Sequence, residues 1–164
     1  MGVSPMRVAG ILPARRAPPA KPKRRERLQT MPETTCRIAD VTIGAGRLAL
    51  LAGPCMAESR QLCLDVSGRL AELCRARDVG FVFKASFDKA NRSSADADRG
   101  PGLEAGLAWL AAVREQVGVP VLSDIHEPAQ AEPAAAALDA LQIPAFLCRQ
   151  TDLLTAAGRT GRAV

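Results

Sequence analysis

The sequence predicts an α/β fold in which parallel strands alternate with helices, and three observations support this prediction. Short apolar runs alternate along the chain with segments of helical periodicity, in the order β-α-β-α-β-α-β-α. The runs are almost entirely apolar, as expected of parallel strands that are buried on both faces. Polar side chains follow these runs at their carboxyl ends, the end that carries the active site in (βα)8 barrels. We therefore predict a fold of the (βα)8 TIM-barrel family, of which this chain contains the first four βα units.

A short β-hairpin is predicted ahead of the barrel units. The segment CRIADVTIGAGRLALLAG, which begins at Cys36, contains a short strand, a Gly-rich turn and then a buried strand. The first helix is predicted over residues 58–77, where apolar residues recur at helical spacing at Leu62, Val66, Leu70 and Leu73. The run VGFVFKAS predicts the second barrel strand, and the periodicity of residues 102–117 predicts the second helix.

The later units follow the same alternation. VPVLSDIH predicts the third strand, and PAQAEPAAAA predicts a short helix that opens with Pro, a favoured first helical residue. LDALQIPAFL and QTDLLTAAGRTG predict the fourth strand and helix, and TGRAV contains the start of a fifth strand. A doubly wound sheet is the alternative architecture. The first strand is not followed by a glycine-rich phosphate-binding motif, which disfavours a dinucleotide-binding fold of that kind.

The net charge of +5 arises from one end of the chain. Residues 1–30 contain eight basic residues and one acidic residue, whereas residues 31–164 contain 14 basic and 16 acidic residues. The basic segment is rich in Pro, Arg and Lys and lacks periodicity. We therefore predict a disordered extension over residues 1–34 and a folded domain over residues 35–164. An arm that binds nucleic acid or targets an organelle, and translation from Met31, are the alternatives.

Composition argues against several classes of protein. Aromatic residues make up 3% of the chain, fewer than a protein that stacks single-stranded nucleic acid needs. No apolar run is long enough to predict a membrane span. The five cysteines are odd in number and irregular in spacing, so we expect no disulfide framework and a reducing, cytoplasmic location. Cys63 and Cys74 fall within the first predicted helix, where we expect small buried side chains.

The most informative stretch is FKASFDKANRSS, residues 83–94, which leaves the second barrel strand. Lys84, Lys89 and Arg92 are concentrated there beside Asn91 and Ser93. Amines, a guanidinium, an amide and hydroxyls suit an anionic, oxygen-rich ligand such as a phosphate or a carboxylate. The alternative is a solvated charged loop. We interpret the stretch as a site for a phosphorylated small molecule, because other polar loops should converge on the same end of the sheet.

Two further loops contribute candidate residues. GPCMAES places Cys55 after the first barrel strand, where a thiolate could bind a metal or act as a nucleophile, although a buried inert thiol is the alternative. SDIHEP places Asp124 and His126, the only histidine, after the third strand. With a single histidine and no second cluster of ligands, the chain cannot complete a three- or four-ligand metal centre by itself.

Five motifs together resemble one enzyme family. They are AGPC, FVFKASFDKANRSS, RGPGLE, SDIHEP and QIPAFLCRQTDLL. From about residue 48 to residue 164, the sequence resembles the 3-deoxy-D-manno-octulosonate 8-phosphate synthases. The resemblance implies condensation of phosphoenolpyruvate with D-arabinose 5-phosphate and water in lipopolysaccharide biosynthesis, by a cytoplasmic homo-tetramer. It implies no nucleic-acid or membrane partner. Cys55 is similar to the metal-binding cysteine of the family's metal-dependent branch, which uses a divalent ion such as Mn, Fe or Zn.

The resemblance also implies roles for individual residues. Lys84 and Lys89 resemble lysines that bind phosphoenolpyruvate, with Lys89 near the reacting centre, and Asp124 resembles a carboxylate that orients the substrate. Further phosphoenolpyruvate contacts are implied at Gln142, Ala145 (through its backbone amide) and Arg149. Arabinose 5-phosphate contacts are implied at Asn91, Arg92 and Ser93, of which the last two reach a neighbouring subunit's site.

The sequence departs from the family in one large respect. The family's other metal ligands, and a further lysine and arginine for phosphoenolpyruvate, would lie beyond residue 164. We therefore expect an incomplete metal site and no catalysis by the 164-residue chain alone. The alternatives are a 3-deoxy-heptulosonate 7-phosphate synthase and a non-catalytic protein that binds phosphorylated ligands.

Overall fold

The computed structural model describes residues 35–90, 94, 96 and 98–164. The extension predicted over residues 1–34 lies outside this range and stays a prediction. The described residues form six strands, which are β1 (Cys36–Ile38), β2 (Val41–Ile43), β3 (Ala49–Ala52), β4 (Gly80–Lys84), β5 (Val121–Asp124) and β6 (Ala140–Gln142). The same residues form four α-helices, which are α1 (Arg60–Arg75), α2 (Gly102–Val117), α3 (Ala131–Ala137) and α4 (Thr151–Arg159). Short 3-10 turns cover Pro128–Gln130 and Ala145–Leu147. None of the helices in the described ranges has the length and apolar character needed to cross a bilayer.

The topology confirms the predicted α/β fold with a parallel sheet. Strands β1 and β2 form an antiparallel hairpin, and β3 to β6 form a parallel sheet in sequential order. Sequential order is that of a (βα)8 barrel, whereas a doubly wound sheet reverses its order at a switch point. After α4 the chain returns to the sheet, where Leu141 N donates a hydrogen bond to Ala163 O at 2.9 Å. This single bridge is what the structure shows of the predicted fifth strand.

Local sequence signals set the ends of the helices. Helix α1 begins at Arg60, two residues later than predicted, because the Ser59 hydroxyl caps it by accepting a hydrogen bond from Leu62 N at 3.1 Å. Helix α2 has the predicted bounds and stops at Gly118, whose φ of 71° is the left-handed conformation that favours glycine. Cys63 and Cys74 are buried in α1, as predicted.

The two faces of the parallel sheet bury different clusters. On the helix-covered face, Phe81 and Phe83 of β4 belong to the main core with residues of the four helices. On the opposite face, the hairpin residue Val41 packs with Val82 and Leu122. Side chains alternate along a strand, so each polar residue at a strand end shares the hairpin-covered face with an apolar residue two positions earlier. These polar residues are Lys84, Asp124 and Gln142. The hairpin thus covers the same face of the sheet, next to the candidate site.

Strand β3 corrects one expectation. It was predicted to be buried on both faces, but Leu50 is 37% exposed and Leu51 is 44% exposed. The prediction was wrong for this strand because β3 lies at the edge of the sheet, where β4 is its neighbour. Apolar content predicts burial only when the neighbouring elements are present on both sides.

Helix α2 approaches the site loop closely at Gly106, which predicts a measurable effect on stability. A Cβ at this position would lie 2.3 Å from Phe87 Cβ, so Gly106→Ala should lower the free energy of unfolding by about 1–2 kcal/mol through overpacking. The matched control is Gly68→Ala in α1, where a Cβ would meet no atom within 4 Å. Alanine there should add about 0.5–1 kcal/mol through helix propensity. Urea unfolding at one protein concentration measures both, and equal effects would contradict the close approach.

Candidate active site

The carboxyl ends of β4 and β5 bring a lysine and an aspartate together. Lys84 is the last residue of β4, and Asp124 is the last residue of β5. The strands pair in a register that places Lys84 opposite Leu122, so Asp124 extends beyond it on the same face. Lys84 Nζ lies 3.5 Å from Asp124 Oδ1, and the two side chains are 23% and 12% exposed. This ion pair is therefore partly shielded from water.

Ser86 joins the two candidate lysines. Its side chain is fully buried, and its Oγ accepts hydrogen bonds from Lys84 Nζ at 3.0 Å and from Lys89 Nζ at 2.9 Å. The backbone of Ser86 is held by the loop after β3, since Ala57 N donates to Ser86 O at 2.9 Å and Ser86 N donates to Cys55 O at 3.4 Å. Two ammonium groups thus converge on one fixed hydroxyl. Sequence analysis missed Ser86, although its position between the two lysines was the available signal.

Asp124 and His126 form a second contact at the centre of the site. His126 Nε2 lies 3.1 Å from Asp124 Oδ2, and because a carboxylate only accepts, Nε2 is the donor. The main chain of His126 is fixed by the Gln130 side chain, whose Oε1 accepts from His126 N at 2.7 Å. The edge of the imidazole meets the Phe87 ring, with centroids 6.0 Å apart. His126 Nδ1 is buried and has no hydrogen-bond partner in the described part of the chain.

The environment of Asp124 keeps its carboxyl ionised. Burial by itself raises the pKa of Asp124, but the hydrogen bond from His126, the Ser86 hydroxyl and the charge of Lys84 outweigh burial. The pKa of this carboxyl therefore lies well below its ordinary value. Asp124 Oδ1 makes no hydrogen bond of ordinary geometry to the described residues, so we attribute the lowering mainly to His126 and Lys84.

An ion pair closes the base of the loop that follows β4. Arg99 binds Asp88 through both nitrogens of one edge of its guanidinium, and Arg99 Nε lies 2.9 Å from Asp88 Oδ1. The two backbones meet at the same point, because Lys89 N donates to Arg99 O at 2.7 Å. The pair fixes the backbone of Lys89 and holds Asp88 and Arg99 together. RGPGLE, which contributes Arg99, was noted in the sequence only for its family resemblance.

The other predicted site residues are placed less closely. Gln142 is exposed at the end of β6, opposite Asp124 in the strand register. Ala145 and Arg149 are exposed in and after the Ala145–Leu147 turn, and in the described ranges neither makes a polar contact with Lys84, Lys89 or Asp124. Asn91, Arg92 and Ser93 lie outside the described residues, so their implied roles stay predictions.

Cys55 is the one metal ligand that the sequence suggested. Its side chain is exposed in the loop after β3, and its carbonyl contacts Ser86, which places it at the same end of the sheet as the lysines. Within the described ranges, no group of three or more His, Cys, Asp or Glu side chains is arranged to hold a metal ion. His126 is directed to Asp124 and its other nitrogen is buried. The described residues therefore do not form a complete metal site.

Together, the two ammonium groups, the hydroxyl and the ionised carboxylate form a compact polar site with an excess of positive charge. The site lies at the carboxyl ends of parallel strands, where such folds bind their ligands. Charge-assisted hydrogen bonds from two lysines suit a carboxylate or phosphate group. Residues 22–164 match the family model described as the DAHP synthetase I family.

The chain belongs to the DAHP synthetase I family. Curated relatives agree with this assignment. A protein of Syntrophotalea carbinolica named 2-dehydro-3-deoxyphosphooctonate aldolase is 57% identical over 135 residues, which are 82% of this chain and 48% of the relative. Proteins of the same name from Desulfatibacillum aliphaticivorans and Citrifermentans bemidjiense are 56% and 57% identical. These alignments cover 76% and 77% of this chain, and 46% and 47% of the two relatives. The chain thus spans about half the length of the curated relatives that it matches.

Proposed function

We propose that this member of the DAHP synthetase I family carries substrate-binding residues of a 3-deoxy-D-manno-octulosonate 8-phosphate synthase. In this reaction the vinyl carbon of phosphoenolpyruvate attacks the aldehyde carbon of D-arabinose 5-phosphate. Water adds to the adjacent carbon of phosphoenolpyruvate, and inorganic phosphate leaves with cleavage of the C–O bond. The product is the eight-carbon sugar acid phosphate of lipopolysaccharide biosynthesis. The reaction joins two anions, so a site for it has to supply positive charge.

One observation carries the proposal: Lys84 and Lys89 converge on the buried Ser86 hydroxyl beside Asp124. Both ammonium groups lie within hydrogen-bond distance of the same oxygen, so together they provide fixed positive charge for the acidic groups of phosphoenolpyruvate. A buried carboxylate with a lowered pKa then orients one of the ammonium groups and stays ionised near neutral pH. The name of the relatives, 2-dehydro-3-deoxyphosphooctonate aldolase, supports the same reaction class.

The remaining roles follow the family resemblance. Gln142, Ala145 and Arg149 extend the phosphoenolpyruvate site along β6 and its following turn, and residues 91–93 bind the sugar phosphate. Cys55 contributes one ligand to a divalent metal ion, and the other ligands come from outside the described residues. The working enzyme is a cytoplasmic homo-tetramer. The 164-residue chain by itself does not turn over substrate.

A chimera tests the proposed function directly. Residues 35–164 of this chain would replace the corresponding segment of the Syntrophotalea carbinolica relative, which is similar enough to accept them. Phosphate release would be measured with phosphoenolpyruvate and either arabinose 5-phosphate or erythrose 4-phosphate, with the unaltered relative as control. We expect turnover with arabinose 5-phosphate at a rate within about tenfold of the control, since the exchanged segment keeps its site residues.

Two other outcomes would contradict the proposal. Preference for erythrose 4-phosphate would indicate a 3-deoxy-heptulosonate 7-phosphate synthase. A chimera that folds and binds phosphoenolpyruvate but converts neither sugar would indicate a protein that only binds phosphorylated ligands. Circular dichroism and calorimetric titration of phosphoenolpyruvate distinguish a misfolded chimera from this second outcome.

Cys55→Asn in the chimera tests the metal ligand. Asparagine cannot supply a thiolate, so the variant should retain much less divalent metal after dialysis, while its fold is unchanged because Cys55 is exposed. Metal content measured by atomic emission is the readout. Cys148→Asn is the matched control, since this cysteine is also exposed but follows β6, at the opposite edge of the described sheet from β3. Equal metal content in the two variants would remove Cys55 from the metal site.

A further inference from the structure

The two lysines of the candidate site differ in how their charge is balanced by the described residues. Lys84 Nζ lies 3.5 Å from Asp124 Oδ1, whereas no carboxylate of the described residues lies within ion-pair distance of Lys89 Nζ. Both ammonium groups donate to Ser86 Oγ, so the two like charges lie close together and repel each other. The Ser86 hydroxyl is neutral and does not offset this repulsion. The position of Lys89 therefore depends on a restraint from another part of the chain.

The backbone around Lys89 is held by the segment that begins at Arg99. Lys89 follows the end of β4, so it takes no part in the hydrogen bonds of the sheet. Instead, Lys89 N donates to Arg99 O at 2.7 Å, and Gly102 N donates to Phe87 O at 3.1 Å. The Phe87 side chain is fully buried, which fixes the start of this short pairing. Two backbone hydrogen bonds thus join residues 87–89 to residues 99–102.

The Asp88–Arg99 ion pair joins the same two segments through their side chains. The guanidinium and the carboxylate meet at two points, a geometry that is more directional than a single lysine contact. The Asp88 side chain is 15% exposed and that of Arg99 is 55% exposed, so the carboxylate is shielded while the arginine reaches solvent. Asp88 precedes Lys89 in the chain, and Arg99 O accepts the hydrogen bond from Lys89 N. The pair therefore restrains Lys89 both through its chain neighbour and through its hydrogen-bond acceptor.

The segment that carries Arg99 is also confined by the loop after β3. Gly100 has a φ of 97°, in the left-handed region that favours glycine. A Cβ at this position would lie 3.0 Å from Met56 Sδ and 3.1 Å from Phe87 O, so the backbone has little room to shift. The carbonyl of Arg99 thus belongs to a closely packed backbone, which makes it a fixed acceptor for Lys89 N.

We propose that Arg99 is a positioning residue that keeps the Lys89 ammonium at Ser86. Its ion pair with Asp88 and its backbone contact together oppose the repulsion from Lys84. An anionic substrate then meets two ammonium groups that are already in place, and its charge offsets their repulsion. The guanidinium itself is engaged by Asp88 and acts through Lys89. Because it concerns how the proposed site binds phosphoenolpyruvate, this role of Arg99 rests on the proposed function.

Amide hydrogen exchange of the 164-residue chain, measured by NMR, tests the restraint without any substrate. Arg99→Gln removes the ion pair and keeps the backbone carbonyl. The Lys89 amide should then exchange about tenfold faster, because the segment that supplies its acceptor is held less firmly. The Phe83 amide donates to Pro120 O at 2.8 Å within the sheet and should exchange as in the wild type, which shows that the fold is intact. Unchanged exchange of the Lys89 amide would overturn the inference, whatever reaction the enzyme catalyses.

A double-mutant cycle in the chimera tests whether Arg99 acts through Lys89. Arg99→Gln alone should lower kcat/KM for phosphoenolpyruvate by about 10- to 100-fold, the cost of misplacing a group by about 1 Å in an active site. In a chimera that already carries Lys89→Gln, the same substitution should change kcat/KM by no more than about twofold, because no ammonium is left to position. Arg99→Lys keeps the charge without the two-point contact, so it should lose less activity than Arg99→Gln.

The matched control is Arg69→Gln on α1. Arg69 pairs with Glu72 at 3.3 Å and both side chains are exposed, so its loss should leave the exchange of the Lys89 amide and kcat/KM within about twofold. Equal losses from Arg99→Gln with and without Lys89→Gln would mean that Arg99 acts independently of Lys89, and would overturn the inference. An unaltered chimera without turnover would contradict the proposed function instead. The exchange of the Lys89 amide would then decide the role of Arg99 by itself.

Discussion

Lys89→Gln in the chimera should lower kcat/KM for phosphoenolpyruvate by about 10²–10³-fold, the range observed when one preorganised electrostatic contact is removed from an active site. Lys89 Nζ lies 2.9 Å from Ser86 Oγ, and its backbone is held by Arg99 O at 2.7 Å. The ammonium is therefore fixed before substrate arrives, and binding an anion costs little reorganisation. Glutamine keeps a hydrogen-bond donor, on a side chain one bond shorter, but removes the charge, so the variant tests mainly the charge.

The matched control for this prediction is Arg47→Gln. Arg47 is also cationic, but its side chain is 66% exposed and pairs with Asp78. It precedes the first residue of β3, so it lies at the end of the sheet opposite to the candidate site. Its replacement removes the same unit of charge from the chain and should leave kcat/KM within about twofold, because exposed ion pairs contribute little. Steady-state kinetics at one ionic strength compares the two variants. Similar losses in both would mean that overall charge, and not the Lys89 contact, governs binding of phosphoenolpyruvate.

The parts of the fold that were predictable from sequence depend on local signals. The bounds of α2 were predicted correctly because apolar residues recur at helical spacing up to Val117 and Gly118 stops the helix. The parallel sheet was predictable because Phe81 and Val82 are both apolar, as in strands that are covered on both faces. These signals are contained within about twenty consecutive residues, so one sequence is sufficient to detect them.

The site was only partly predictable, because its contacts join separate segments. Lys84, Lys89 and Asp124 were identified from their positions after strands and from the family resemblance. The structure brings both lysines to Ser86 and places Asp124 beside Lys84. The role of Ser86 depends on a backbone turn that returns Lys89 to the end of β4, and periodicity does not predict such a turn. The Asp88–Arg99 pair joins residues eleven positions apart across a loop. A salt bridge of this separation has no sequence signature.

Asp124→Asn should lower the free energy of unfolding of the 164-residue chain by about 1.5–3 kcal/mol at pH 7, the range for a hydrogen bond to a charged group. The substitution leaves Lys84 without its nearest carboxylate and His126 with a weaker acceptor. The control is Asp65→Asn on α1, where the exposed carboxylate accepts a hydrogen bond from Gln61 at 2.8 Å. That change should stay within about 0.5 kcal/mol. Urea unfolding at one fixed protein concentration measures both, so that association does not alter the comparison.

The pH dependence of the difference in unfolding free energy between wild type and Asp124→Asn tests whether the charged carboxylate causes that difference. The pKa of Asp124 is lower in the folded chain than in the unfolded chain, where an aspartate has a pKa of about 3.9. The stabilisation from the carboxylate is therefore fully present above that value, and it decreases as the pH falls toward the folded pKa. The gap in unfolding free energy between wild type and Asp124→Asn should therefore narrow as the pH falls below about pH 4. A gap that widens in acid would mean that burial dominates the titration of Asp124 and that the folded chain favours the protonated acid. In that case Lys84 and His126 would not hold the carboxylate in its charged form, and the arrangement proposed for binding an anionic substrate would lose its central ion pair.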